Sequence, residues 1–184
     1  MSIFNKKSVQ QVLRPVKATK NFIEVVNKVR LRRSLGPVSW STAVRFLIAR
    51  KFDVARAVAL FEQHELTRQR EGLMHFDPIK EPLKSELSTG KFTVLPTRDA
   101  TGAALVVFTA QRHIPATSTH QTTLQGVVYQ LDAALQDPIT QRAGIVFIYD
   151  MTNSKYSNFD YDLSQKILTL LKVRTNPIPS SHRQ

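Results

Sequence analysis

Apolar residues in the first part of the chain recur at the spacing of amphipathic helices. From Thr19 they fall at i, i+3, i+4 and i+7, which predicts a helix that continues into the basic stretch VRLRRS. SLGPVS interrupts this pattern, and Ser39 then stands where its hydroxyl can cap a second helix with an inward face of Val44, Leu47 and Ile48. Asp53 can cap a third helix in the same way, before the stripe Val54, Ala57, Val58 and Phe61. Together these segments predict a small helical bundle.

The pattern changes to short β-rich runs after the proline-marked connection HFDPIKEP. A short helix is predicted over 83–87, and the runs KFTVLP and AALVVFTAQ that follow are rich in β-branched and aromatic residues. TRDATG separates the two runs and supplies an Asp and a Gly for a tight reversal. We therefore expect a β-hairpin.

Helical and strand patterns alternate in the remainder of the chain. Between Ser118 and Gln136 a helical stripe contains Leu124, Val127, Val128, Leu131 and Leu135. GIVFIYD, Gly144 to Asp150, is a continuous apolar run, which predicts a strand buried on both faces. A last helix over about 160–172 directs Leu163, Ile167, Leu170 and Leu171 inward. This order of strand, helix, strand and helix is typical of an α/β layer.

Charge is concentrated at the front of the chain. The net charge is +12, and residues 1–35 carry nine Lys and Arg against Glu24 alone, a local excess of +8. Such a region attracts the phosphates of either nucleic acid or anionic lipid, so charge alone does not choose between them. A basic amphipathic start is also typical of a mitochondrial transit peptide, although here the helix runs directly into the bundle.

The sequence contains no motif that predicts catalysis, a metal or a cofactor. It has no cysteine, which excludes disulfides, thiolate zinc sites and a cysteine nucleophile. It also lacks a phosphate-binding glycine loop, a GxSxG elbow and HExxH, and its five histidines are not at ligand spacing. Asp150, at the end of a predicted strand, is either a catalytic carboxylate or a turn acceptor. No apolar run of about 18 residues and no secretory h-region are found, so neither a membrane span nor secretion is predicted.

Sequence-specific nucleic-acid binding is disfavoured. A recognition helix presents side chains that reach base edges, whereas the third predicted helix begins with DVARAVALF, mostly small and apolar. The phenylalanines fall on predicted core stripes instead of alternating with basic residues on a surface.

Several separate motifs, in order, resemble the CRAL-TRIO family of lipid-binding proteins. RFLIARKFDV, within Ala43 to Gly72, is similar to the helical cap of that family. LSTGKFTVLPTRDATGAALVVFTAQRHIP and QRAGIVFIYDMTNSKYSNFDYDLSQKILTLLK are similar to the first half of its core. Within the family the motifs look most like the N-terminal domain of a non-receptor protein-tyrosine phosphatase. The resemblance, over about 19–172, implies an α/β fold: a basic arm over 1–18, a helical cap over 19–72, a partial lipid-binding core over 73–172 and an irregular tail over 173–184.

The resemblance also implies a lipid head-group site. In phosphoinositide-handling members the Arg-Lys pair of the cap motif lies near the head-group phosphate, and here those residues are Arg50 and Lys51. The hydroxyl-rich turn after the last strand, with Ser154, Tyr156 and Ser157, is expected to supply hydrogen bonds to the polar head. Val107, Val146 and Ile148 are expected either to line the floor of the pocket or to pack on the opposite face of the sheet.

From this resemblance we expect a lipid-binding module that recognises anionic phospholipids or phosphoinositides at cytosolic surfaces of vesicles or endomembranes. The family pattern continues into a further strand and a gate helix that the chain lacks, so a shortened form is implied. A phosphatase domain is absent too, so neither an enzyme nor a small-molecule substrate is expected. The alternatives are an electrostatic binder of nucleic acid and a shortened product without lipid-binding activity.

Overall fold

A computed structural model of the chain describes residues 6–174, and these divide into two units between Leu66 and Thr67. The predicted tail therefore lies almost entirely outside the described residues. The first unit contains α1 (Lys6–Arg32), α2 (Trp40–Ala49) and most of α3 (Val54–Arg70). No helix of the described residues is long and apolar enough to cross a membrane.

Two helices of the first unit, α2 and α3, begin where capping chemistry predicts. The Ser39 hydroxyl accepts a hydrogen bond from the Thr42 N–H at 3.2 Å, and Asp53 Oδ1 accepts one from the Arg56 N–H at 3.0 Å. Both predicted caps are confirmed. The first helix differs from the prediction, because it already begins at Lys6 and thus includes much of the segment assigned to a basic arm.

The core of the first unit is built on aromatic side chains. Phe22 and Leu47 are fully buried, and the Phe61 ring meets those of Phe22 and Phe46 edge to face with centroids 5.7 and 5.0 Å apart. Such pairs stabilise a core beyond the area that they bury. Ile48, predicted to point inward, is 46% exposed, and the buried residues of α2 are Ala43 and Leu47.

The second unit is built on a sheet with the order β1, β2, β3 in the described residues. Its strands are β1 (Phe92–Arg98), β2 (Ala104–Thr109) and β3 (Ile145–Asp150). β1 and β2 are antiparallel and form the predicted hairpin, while β2 and β3 are parallel. In the turn, Asp99 Oδ1 accepts from the N–H groups of Thr101 and Ala103 at 2.9 and 2.8 Å.

The further helices of the second unit are α4 (Leu83–Ser88), α5 (His120–Ala134), α6 (Pro138–Ala143) and α7 (Tyr161–Arg174). Of these, α5 and α7 cover one face of the sheet. The buried stripe of α5 packs with that of α7 and with Phe92, Val106 and Phe108 of the sheet in one hydrophobic cluster. The predicted inward residues of α7 are all buried, and the α/β fold class is confirmed.

The prediction that β3 is buried on both faces is wrong. Phe147 and Tyr149 pack on the core side, whereas Val146 and Ile148 are 39% and 40% exposed. Within the described residues β3 is an edge strand, with helices against only one of its faces. Two of its five apolar residues therefore face away from the core.

Candidate functional site

Arg50 and Lys51 occupy a tight turn between α2 and α3. Lys51 and Phe52 both have positive φ, 52° and 61°, a backbone conformation that residues other than glycine rarely adopt. The Phe52 N–H closes the turn by donating to the Leu47 carbonyl at 2.7 Å, and the Phe52 ring packs on the core of the first unit. This packing offsets the cost of the left-handed turn, so the two basic residues stand on a well-defined backbone.

The two side chains of this turn differ in their surroundings. Arg50 is half-buried, and its guanidinium donates from Nη1 to the Ala49 carbonyl at 3.2 Å, whereas Lys51 is exposed. A guanidinium offers a planar fork of donors and an ammonium a compact point charge, and both groups suit a phosphate.

Ser154, Tyr156 and Ser157 lie in the loop from β3 to α7. Tyr156 is 93% exposed and Ser157 is also exposed, so both hydroxyls are open to a partner. Ser154 is half-buried, and its hydroxyl donates to the Met151 carbonyl at 2.7 Å, which leaves its oxygen as an acceptor. The loop therefore presents hydroxyl groups toward solvent.

This loop is held to the rest of the second unit by Asn158. The Asn158 amide donates to the His113 carbonyl at 2.8 Å, and its Oδ1 accepts from the Lys155 N–H at 2.7 Å. Asp160 then caps α7, since its Oδ1 accepts from the Leu163 N–H at 2.9 Å. Side-chain hydrogen bonds thus fix both the loop and the start of the helix that follows.

An apolar stripe lies on the sheet face opposite the helices. Leu105 is in register with Val146, and Val107 with Ile148, so the four side chains share one face of two parallel strands. Their neighbours along the strands, Val106 and Phe147, are core residues. The structure therefore answers a question that the sequence left open, because Val107, Val146 and Ile148 all face away from the core. We call these four residues, Leu105, Val107, Val146 and Ile148, the open face.

A buried ionic network joins His113, whose carbonyl accepts from Asn158 of the loop, to Lys91 immediately before β1. Lys91 Nζ lies 3.1 Å from Glu86 Oε1 and 3.5 Å from His113 Nδ1. On the other side of the ring, His113 Nε2 is 3.6 Å from Asp160 Oδ2, which also bonds His120 Nε2 at 2.8 Å. The side chains of Lys91, Glu86 and His113 are at most 5% exposed.

The network favours a neutral His113. Burial lowers the pKa of this imidazole, and the positive charge of Lys91 lowers it further, while Asp160 and Glu86 oppose the shift. A neutral ring can accept from Lys91 at Nδ1 and carry its proton on Nε2, which has no hydrogen-bond partner within the described residues. For Asp160, burial raises the pKa, but hydrogen bonds from Leu163 and His120 outweigh it and hold that pKa below its usual range.

Asp150, potential metal ligands and a surface cleft are the remaining candidates for a functional site. Asp150 accepts from the Thr152 N–H at 2.9 Å, and hydrogen bonds from Thr152 lower its pKa, so this carboxylate is a turn acceptor. In the part of the chain that the structure describes, no group of three or more acidic, histidine or cysteine side chains is placed to hold a metal ion. A cleft of about 170 Å³ beside Val94 and Ala133 is smaller than typical ligand pockets.

The predicted head-group residues fall into two sets. Arg50 and Lys51 belong to the first unit, and Ser154, Tyr156 and Ser157 belong to the second. Within each unit the structure brings the members of a set together on one short turn or loop. The buried network was not predicted, because its five residues come from three separate parts of the chain, 86–91, 113–120 and 160, and match no motif spacing.

Comparison with known proteins identifies the family to which this fold belongs. A model of the CRAL/TRIO domain matches residues 88–177, which include the sheet, the helices α5 to α7 and the hydroxyl-bearing loop. The chain carries a domain of the CRAL/TRIO family. The resemblance predicted from the sequence motifs is therefore confirmed.

Individual CRAL/TRIO relatives extend the match toward the N-terminus. The human tyrosine-protein phosphatase non-receptor type 9 is 50% identical over 155 residues, which cover 84% of this chain and 26% of that protein. The mouse protein of the same name matches equally well. The human alpha-tocopherol transfer protein-like is 32% identical over 133 residues, 70% of this chain and 39% of that protein. The chain thus spans about a quarter of the length of the phosphatase relatives, and their phosphatase domain lies outside the match.

Proposed function

We propose that this chain is a non-enzymatic lipid-binding module that recognises anionic phospholipids, phosphoinositides among them, at cytosolic membrane surfaces. The open face is the observation that carries this proposal. Four branched apolar side chains in register form a continuous hydrocarbon surface on a CRAL/TRIO sheet, and an acyl chain is a partner of matching chemistry. The name of the tocopherol-transfer relative, which refers to a lipophilic molecule, supports the same class of ligand.

Selection of the head group is assigned to the polar residues. Arg50 and Lys51 would supply positive charge to phosphate, and Ser154, Tyr156 and Ser157 would supply hydrogen bonds to a polar head. Because Arg50 is half-buried, salt should screen its contact less than it screens an exposed charge. We therefore expect head-group selectivity that persists at about physiological ionic strength, with the protein peripheral on vesicles or endomembranes.

Vesicle flotation tests the basic pair. The purified chain is floated with phosphatidylcholine vesicles that contain phosphatidylserine or a phosphoinositide at matched total charge, at low and at physiological salt. Arg50→Ala with Lys51→Ala should abolish the preference for phosphoinositide. Lys80→Ala with Lys84→Ala, two exposed lysines of the second unit, removes the same charge and should leave that preference intact. Equal loss in the two double variants would show that only total charge matters, and an unchanged preference in the first would contradict the assignment.

Lys51→Gly separates folding from binding at this turn. Glycine accepts positive φ without steric cost, which relieves roughly 1 kcal/mol of strain and about balances the entropy that glycine loses on folding. The melting temperature should therefore be kept while phosphoinositide binding weakens.

Tyr156→Phe with Ser157→Ala tests the loop without changing charge. This variant should reduce the phosphoinositide preference, because it removes two hydroxyl groups that are open to solvent. An unchanged preference would exclude these hydroxyls from the head-group site.

Binding of nucleic acid is the competing outcome. An electrostatic binder would shift duplex and single strands alike in a gel at low salt and would lose affinity steeply as salt is raised. Such a result, together with no difference between neutral and anionic vesicles, would replace the lipid proposal.

A further inference from the structure

The outward face of α1 is a second feature whose chemistry suits contact with a membrane. Among residues 13–32 of this helix, whose side chains the structure describes, Ala18, Thr19, Phe22 and Val26 are buried. At 100° per residue, the opposite side of the helix is formed by Leu13, Lys17, Lys20, Glu24, Lys28 and Leu31, all exposed. We call these six residues the outer face of α1.

The charges on the outer face are unbalanced. Glu24 is its only acidic residue among the described positions, and it pairs with Lys28, Nζ to Oε1 at 2.9 Å. Lys17 and Lys20, one turn apart, add two further positive charges. The face therefore carries a net positive charge and is complementary to an anionic surface.

Two leucines distinguish this face from an ordinary solvated one. Leu13 is 56% exposed and Leu31 is 78% exposed, one toward each end of the lysine row. Eighteen residues of helix rise about 27 Å, so the two leucines can touch a flat surface at well-separated points. Nucleic acid offers phosphates to the lysines but no hydrocarbon to the leucines. An anionic bilayer offers both, since lysines can extend to lipid phosphates while apolar side chains enter the interface.

From this combination we infer that the outer face of α1 is a docking surface for an anionic lipid bilayer. Leu13 and Leu31 enter the interfacial region, and Lys17, Lys20 and Lys28 contact lipid phosphates. The inference rests on the proposed function in taking a membrane as the partner, but it concerns attachment to the surface and not selection of a head group. The two can therefore fail separately.

A cysteine probe tests insertion directly. The native chain has no cysteine, so Leu31→Cys creates a unique site for an environment-sensitive fluorophore. Ile79→Cys is the matched control, because Ile79 is 77% exposed and does not belong to the outer face of α1. With phosphatidylcholine vesicles that contain phosphatidylserine, the probe at position 31 should shift to the blue and become accessible to lipid-borne quenchers. The probe at position 79 should do neither. A probe at position 31 that stays in water while the protein is bound overturns the inference.

Partitioning of variants tests the charges. Lys17→Gln with Lys20→Gln should lower partitioning onto phosphatidylserine vesicles by roughly 25-fold, at about fivefold for each lysine near an anionic surface. Leu31→Ser should lower it to a degree that salt does not change, whereas Ile79→Ser should have no effect. Loss with the lysine pair but not with Leu31→Ser would show simple electrostatic attraction and would overturn docking by insertion.

A variant that is expected to bind anionic vesicles more tightly excludes misfolding as the explanation of its result. Glu24→Gln removes the one acidic group of the face and releases Lys28, so partitioning onto anionic vesicles should rise several-fold. Unchanged or weaker binding would count against the outer face. If these α1 variants behave as expected while Arg50→Ala with Lys51→Ala leaves phosphoinositide preference unchanged, docking by α1 stands and the head-group site fails. If the α1 variants bind like the parent while Arg50→Ala with Lys51→Ala abolishes the preference, the head-group site stands and docking by α1 fails.

Discussion

At the scale of single residues, His113 is a buried titratable group with an opposite charge on each side of its ring. Its ring lies between the Lys91 ammonium, 3.5 Å from Nδ1, and the Asp160 carboxylate, 3.6 Å from Nε2, and it meets the Phe108 ring edge to face. A proton on Nδ1 would point at a buried ammonium. Protonation of the His113 ring at acid pH therefore disfavours the arrangement of side chains beside the loop of Ser154, Tyr156 and Ser157.

The stability of the protein should consequently fall with acid in a defined window. His113 has a lowered pKa in the folded state, so below its unfolded value of 6.5 the unfolded chain binds the proton and the folded chain does not. The stability that the neutral His113 ring contributes to the fold is fully present above that pH. It is lost as the pH falls below that value, by at most about 1.4 kcal/mol per pH unit. Asp160 contributes separately at lower pH, because its folded pKa lies below its unfolded 3.8.

Urea unfolding measured from pH 7 to pH 5 checks this expectation. His113→Gln keeps a neutral hydrogen-bonding side chain without a titrating ring, so the free energy of unfolding should depend less on pH than in the parent. His75→Gln, at an exposed histidine, should keep the parental slope. Equal slopes in all three proteins would exclude His113 as the origin of the pH dependence.

At the scale of elements, β3 combines two roles in alternate residues. Phe147 and Tyr149 pack on the core, where Tyr149 stacks on Phe108 at 5.3 Å between centroids, while Val146 and Ile148 belong to the open face. Substitutions on the open face should therefore change ligand binding with little change in packing.

Val146→Thr with Ile148→Thr should weaken binding of a fluorescent acyl-chain lipid. Threonine keeps the β-branched shape that strands favour, but a hydroxyl replaces hydrocarbon, and each methylene returned to water costs about 0.8 kcal/mol. Affinity should fall about tenfold while the melting temperature changes little. The control is Ile139→Thr, an exposed apolar residue of α6 that should leave affinity unchanged. A parental affinity in the double variant would show that acyl chains do not contact the open face.

At the scale of the whole molecule, the elements that could be predicted from sequence were those whose burial repeats with the period of a helix or a strand. Leu163, Ile167, Leu170 and Leu171 illustrate this, because a long amphipathic helix has one way to face a sheet. The six-residue α6 is too short to show a stripe. The apolar run of β3 indicated a strand, but composition does not say whether a face is covered by protein.

The site was predictable only as a set of residues. Motif resemblance selected Arg50 and Lys51, yet nothing in the sequence indicated the left-handed turn that holds them, since neither Lys51 nor Phe52 is a residue that favours positive φ. Glu86 and Lys91 are five residues apart, but tertiary packing brings His113, His120 and Asp160 to them. Their proximity follows from the hairpin and the parallel crossover and not from local spacing.

The pairing of β2 with two neighbours has a kinetic consequence. The antiparallel pairing with β1 closes only the short turn 99–103, whereas the parallel pairing with β3 must enclose 110–144. Closing the longer segment costs roughly 1–2 kcal/mol more in chain entropy. We expect the hairpin to form in the folding transition state and β3 to dock after it, so Val94→Ala should give a higher φ-value than Phe147→Leu in stopped-flow experiments. Equal values would contradict this order. Until β3 arrives, β2 has an unpaired edge, and the refolding chain is then most prone to join another copy of itself.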